Sequence, residues 1–223
     1  MILDFDYMAG LVPVILSYAP LTLGMASLAM AIALALAAML AVVRVLKVPV
    51  LDRFVAVFIS FFRGTPLLVQ LFLFYYGLPQ VVAAFRSIDG VTAAIAGLTL
   101  HFAAYMAESI RAAILGIDRS QWEAGQSVGM TQLQLMRRII LPQAARVAAP
   151  TLLNYYIDII KSTSLAFTLG VTEMMGAAQK EAAGSFRYFE AFLVVACIYW
   201  AIVEALSFVQ RRMETRLGRA FAR

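Results

Sequence analysis

The chain has 223 residues, 63% of them hydrophobic and 14% charged, with a mean hydropathy of +0.85. Ordinary soluble domains carry about a quarter charged and about half apolar residues, so this composition excludes a water-solvated globule and requires solvation by lipid. The formal net charge of +5 does not make the chain a nucleic-acid binder, because its basic residues are sorted into the gaps between apolar stretches.

Those stretches fall near 14–43, 54–78, 91–115, 147–171 and 190–210. A helical span needs about 20 residues, so the sequence predicts an all-α integral membrane protein of about five transmembrane helices, one domain over residues 1–223. Arg44, Lys47 and Arg53 follow the first stretch. Arg111, Arg119, Arg137, Arg138 and Arg146 flank or fill the link after the third, and Arg211, Arg212, Arg216, Arg219 and Arg223 make the tail. Together they hold 13 of the 18 basic residues. The positive-inside rule then predicts the N-terminus outside and the C-terminus in the cytoplasm. No basic n-region or credible cleavage site precedes the first stretch, which reads as an uncleaved anchor.

Residues 1–13 read as an outside segment along the interface, anchored by Phe5 and Tyr7. In the first span Gly24, Ala26, Ser27, Ala31, Ala35 and Ala38 supply small residues for helix packing. Residues 54–62 read as an interfacial helix, and Arg63-Gly64-Thr65-Pro66 as a break before an apolar helix to Gly77. His101, Tyr105, Glu108 and Arg111 lie in the third span.

A polar, basic stretch follows, predicted as two short helices. Ser120 and Glu123 suit a capping box for the first. Gly129 permits a turn, Thr131 caps the second, and Leu141-Pro142 ends it. The fourth span carries Asn154, Asp158, Lys161, Ser162, Thr163 and Ser164, and Arg211-Arg212 terminates the fifth.

An ionisable group at membrane depth costs a few kcal/mol, about 3 on insertion scales, and calls for a partner or a task. Asp158 and Lys161 stand three apart on one helix face. They are either a self-neutralising pair that orients the helix or, with the hydroxyls of 162–164, the lining of a polar cavity. Glu108 and Arg111 repeat the spacing where both reach water. His101 is the only histidine and has no metal-ligand companions at useful spacing. Cys197, the only cysteine, lies in an apolar run and reads as a packing residue. There is no phosphate-cradling glycine loop, no Ser/His/Asp set and no carboxylate pair on a soluble domain. The expectation is therefore no catalytic residue, no metal and no bound cofactor.

The polar stretch contains Glu123-Ala124-Gly125, three residues, Gly129, nine residues, and Ile139-Ile140-Leu141-Pro142. This resembles the cytoplasmic loop of bacterial ABC importer permeases, Glu-Ala-Ala, three residues, Gly, nine residues, Ile, one residue, Leu-Pro, departing only at Gly125. Phe62 to Gln70, Ala103 to Ile114, Ile139 to Ala144, and Asn154 with Lys161 to Leu165 resemble further segments of the polar amino-acid uptake permeases, in that family's order.

The resemblance implies a type I importer permease in the bacterial inner membrane. It implies two cytoplasmic ABC ATPase subunits carrying ATP and magnesium, a periplasmic or extracellular amino-acid-binding protein, and a second permease, identical or paralogous. Glu123, Ala124, Gly125, Gly129, Ile139, Leu141 and Pro142 would couple to the ATPase, Glu123 capping its own helix or pairing with a basic group there. Arg63, Thr65, Asn154, Asp158, Lys161, Ser162, Thr163 and Ser164 would line the path of a polar amino acid. Ser162 stands where permeases for basic amino acids often carry a carboxylate, and the C-terminal third looks somewhat like cystine-type permeases. The alternative reading is a secondary amino-acid carrier or channel, which an internal inverted repeat would support; the sequence has none.

Overall fold

The computed structural model describes residues 3–221, with side chains to Thr215, and every regular element in that range is helical. Helix α1 (Phe5–Leu16) is capped by Asp4, whose side chain accepts from the Tyr7 amide. After a turn at Ser17-Tyr18 comes α2 (Ala19–Leu46), with Pro20 in its first turn, where a missing N–H is harmless. The first span thus begins five residues later than the apolar run suggested.

One face of α2 is buried at Met25, Ala26, Ala29, Ala33, Ala37 and Ala41 and packs on α6 (Gly90–Leu115), where Ala94, Ala103, Ala104 and Ala107 are equally buried. In lipid no hydrophobic drive distinguishes neighbour from solvent, so close backbone approach through small side chains supplies the attraction. Of the small residues expected to pack, only Ala26 is buried on this face; Gly24, Ala31, Ala35 and Ala38 are exposed, and Ser27, also exposed, meets the Tyr156 hydroxyl at 2.8 Å.

Helix α3 (Leu51–Gly64) and α4 (Leu67–Phe72) meet at a 109° bend over the Gly64-Thr65-Pro66 break. Pro66 forces Thr65 into extended backbone (φ −119°, ψ 146°). The freed carbonyls are satisfied by Gln70, fully buried, whose Nε2 donates to Phe62 O (2.9 Å) and Thr65 O (3.1 Å). A π-turn (Leu73–Gly77) then leads into α5 (Leu78–Val81).

Beyond α6 lie α7 (Arg119–Ser127), α8 (Gln132–Leu135), a π-turn (Met136–Ile140) and α9 (Leu141–Ser162), which tightens to a 3₁₀ segment (Thr163–Leu169). Pro142 therefore starts α9 rather than ending the preceding helix. The Leu141 amide reaches back to Met136 O, and this one-residue expansion makes room for the proline. Leu78-Pro79 follows the first π-turn in the same way, with the Leu78 amide donating to Leu73 O.

Helix α10 (Met174–Ser185) lies between the last two apolar stretches, where an Ala- and Gly-rich sequence has neither the length of a span nor an apolar period. Helix α11 (Tyr188–Phe221) runs through Arg211-Arg212, which end the apolar stretch but not the helix. Arginine is a good helix former, and the Gln210–Glu214 hydrogen bond continues across it. At the opposite end Asp4 pairs with Arg187, which lies over the Tyr7 ring, while the Tyr7 and Ser185 hydroxyls meet at 2.7 Å. The Arg187 hydrogen bond holds the Asp4 carboxyl below its ordinary pKa.

Three described helices are long and apolar enough to cross a membrane: Ala19–Leu46, Gly90–Leu115 and Tyr188–Thr215; the bent pair 51–64 and 67–81 makes a fourth. Helix α9 has the length, but Arg146, Asn154, Asp158 and Lys161 make it too polar to meet the same standard.

Candidate functional site

Two regions bring the sequence candidates together. The first is the loop of residues 118–142. Helix α7 begins one residue before the expected Ser120, capped by Asp118, whose carboxylate accepts from the Ser120 amide at 2.8 Å; this hydrogen bond lowers the Asp118 pKa. The cap belongs to Asp118, so the expected Ser120–Glu123 box does not form and Glu123 is left exposed.

Gly129 takes the left-handed conformation (φ +76°) that lets the chain reverse. The Met130 amide then donates to Gly125 O (3.1 Å). Thr131 and Gln134 form a full capping box at the start of α8. The reversal folds α8 onto α7 so closely that Leu135 covers Gly125: a Cβ at that position would stand 2.3 Å from Leu135 Cδ1.

Leu135, Met136 and Ile140 are buried with Ala113, Ile114, Ala144 and Ala148, while Ile139 and Leu141 pack against their edge. Gln143 Nε2 reaches Gln121 Oε1 at 3.4 Å and ties α9 back to α7. The motif is thereby sorted by direction. Gly125 and Ile140 face inward and Ile139 and Leu141 are half-buried. Glu123, Ala124, Gly129 and Pro142 face out, beside Val128 and Leu133, which are 77% and 75% exposed.

The second region is the polar face of α9 and the 3₁₀ segment. Asp158 Oδ1 and Lys161 Nζ pair at 2.7 Å, both about half exposed. They line a hollow of about 460 Å³ with Phe102, Ser162, Ser164 and Leu165. Lys161 and Ser164 also border a smaller hollow of about 280 Å³ whose wall includes Met175, Phe192 and Tyr199. The pair is thus both self-neutralising and part of a cavity wall. Thr163 does not line it: the side chain is buried and its hydroxyl donates to Ile160 O. Asn154 lies exposed on the same helix.

Arg63 reaches this neighbourhood through aromatic rings. Its guanidinium lies 5.4 Å from the Tyr105 centroid, the Tyr105 hydroxyl donates to Arg63 O, and Tyr105 and Tyr155 rings stand 6.5 Å apart. Thr65 turns inward, its hydroxyl donating to Phe61 O and receiving Gln70 Nε2.

Sequence reasoning missed Gln70, whose Oε1 meets His101 Nδ1 at 3.1 Å, so that one side chain braces the helix break against α6. It also missed Glu173. That carboxylate is fully buried and accepts from Tyr199 OH (2.8 Å), Thr22 Oγ1 and the Gly176 amide, joining α2, α10 and α11. A glutamate three residues before Gly176 at a helix start was the available signal.

Residues 33–219 match the family described as binding-protein-dependent transport system inner membrane component. A probable amino-acid ABC transporter permease protein of Vibrio harveyi is 61% identical over 99% of both chains. An L-cystine transport system permease protein of Bacillus subtilis is 35% identical over 96% of this chain and 91% of its own. A solved structure described as an amino acid ABC transporter with histidines superposes with a TM-score of 0.89 at 32% identity, covering 97% of this chain and all of the other.

Proposed function

Taking as premise that the chain belongs to the binding-protein-dependent transport system inner membrane component family, we propose that residues 119–142 dock a separate ATPase and that the 154–164 face lines the path of a polar amino acid. At the coarser level the chain is an amino-acid ABC transporter permease, a transport component rather than an enzyme, with the fold of the solved amino-acid transporter. Such a permease works with an ATPase and a substrate-binding protein. We assign the Arg119–Pro142 end to the cytoplasm of a bacterial inner membrane, with two ATPase subunits holding ATP and magnesium, and a second permease completing the pore.

The observation that carries the docking role is the loop's division into a closed inner face and an open outer one. Leu135, Met136 and Ile140 bind the loop rigidly to α6 and α9, while Glu123, Ala124, Val128 and Leu133 are left to solvent. A partner that moves this surface moves the ends of both helices as one body. Because the two states differ in docking, ATP-driven closure shifts the permease between them. In the second region a zwitterionic substrate meets Lys161, Asp158 and the hydroxyls of Ser162 and Ser164. Ser162 in place of a carboxylate favours a neutral polar amino acid, cystine-like among them, over a cationic one.

Co-purification in mild detergent from the native membrane, wild type against Glu123→Lys, tests the docking. The expected result is an ATPase subunit recovered with the wild type and loss of ATP-dependent uptake in a variant that inserts normally. Unimpaired uptake by Glu123→Lys would overturn the role. Uptake driven by an ion gradient with no ATPase recovered would favour a secondary carrier.

A further inference from the structure

The turn between α2 and α3 lies outside both the 118–142 loop and the 154–164 face. Lys47 adopts left-handed backbone there (φ 50°, ψ 47°), and Val50 also has a positive φ, 66° with ψ −52°, which a β-branched residue rarely adopts. The turn places Lys47 and Arg53 on the rim of one hollow of about 720 Å³, whose other walls include Val50, Phe54 and Val57. The acid on that rim is already engaged, because Asp52 pairs with Arg44 at 2.7 Å. Lys47 and Arg53 make no ion pair or side-chain hydrogen bond among the described residues, so the hollow keeps two uncompensated cations.

An apolar strip leads away from them. Val50, Phe54, Val57 and Phe61 follow one another at helical spacing along α3, between 47% and 70% exposed, on the side opposite the buried Val55, Ile59 and Phe62. Eleven residues of helix make the strip about 16 Å long. Two cations at the head of an apolar strip on a lipid-solvated helix complement a molecule with an anionic head and a hydrocarbon tail. A second copy meeting this face through the same face would set Lys47 and Arg53 against like charges.

We propose that the α2–α3 turn binds an anionic phospholipid, its phosphate held between Lys47 and Arg53 and one acyl chain laid along Val50, Phe54, Val57 and Phe61. Val45, two residues before Lys47, packs on the Leu135–Ile140 cluster. The lipid therefore sits at the end of the bundle that carries the loop. Its assignment to the cytoplasmic leaflet rests on the orientation proposed above; the site itself does not.

The test is native mass spectrometry of the full chain, purified with its partner subunits and exchanged into detergent containing equal phosphatidylglycerol and phosphatidylcholine. The wild type retains phosphatidylglycerol preferentially, and Lys47→Gln/Arg53→Gln lowers that retention about tenfold or more, as expected when each surface cation contributes about one charge of attraction. Lys180→Gln, at the other end of the bundle, leaves it unchanged. Should the double variant fail to insert, each single variant is read alone, with a loss of about fivefold. Equal retention of the two lipids, no loss in the variants, or displacement of the bound lipid by millimolar inorganic phosphate overturns the proposal. So does a cross-link from Lys47 to another protein chain in lipid-filled membranes, which would show the hollow covered by protein.

Discussion

Leu135 and Lys161 lie on one nearly continuous helical run from Gln132 to Leu169, yet Leu135 has no exposed surface and the Lys161 side chain is 54% exposed. Around Leu135 the chain closes on itself, with a glycine below, a capping box ahead and a π-turn behind. Around Lys161 it leaves charges, hydroxyls and two hollows open. Under the proposed function, the closed region is the one that would carry force and need shape. The open one would meet a passing substrate and need chemistry without a permanent partner. Substitutions in the closed region should therefore act on stability and coupling together, and those in the open region on transport alone.

The hardest strain on that contrast is Leu135→Ala. Emptying a fully buried leucine costs about 2–5 kcal/mol, so thermal unfolding of the purified complex should fall by several degrees and uptake should be lost. Gly125→Val comes next. Its Cβ collides with Leu135, and overpacking of this kind costs about 1–3 kcal/mol. Combined with Leu135→Ala, its cost should be less than additive. Gly125→Ala should be milder, because only the Leu135 methyl end must shift. Gly129→Ala, at φ +76°, should cost about 1–2 kcal/mol and loosen the α7–α8 reversal, read as faster hydrogen exchange at Met130.

Lys161→Gln removes an exposed pair worth less than about 1 kcal/mol. Its unfolding should match wild type while substrate-stimulated uptake drops severalfold. If it instead unfolds as early as Leu135→Ala, the division between the two regions fails. The smallest effect belongs to acid. Asp118 has its pKa lowered on folding, so its capping contribution is complete above the ordinary carboxylate value and is lost as pH falls through the folded one. Loop protection near Ser120 should thus persist through mild acid, and Asp118→Asn should remove that pH dependence.

Local devices were legible in the sequence. The glycine turn at 129, the Thr131 cap and the Glu108–Arg111 and Asp158–Lys161 pairs all lie within four residues, and the structure forms each one. Where sequence reading went astray, two local solutions competed. Asp118 and Ser120 both suit an N-cap, and the carboxylate won. Pro142 ordinarily stops a helix, but a π-turn absorbed it. For α2, small residues lie on two faces, and composition cannot say which one meets α6.

The sequence by itself determined the lipid solvation, the helical class, the family, and the loop's turn with its Thr131 cap. Hydropathy, spacing and backbone preference act over a few residues and need no partner. Only the tertiary structure decided that Gln70 braces the 109° break against His101, that Glu173 joins three helices, that Leu135 sits on Gly125, and that Lys47 and Arg53 share one hollow. Each of these depends on how elements are placed against one another. Buried polar groups must find their partners wherever the packing of small side chains happens to bring helices close.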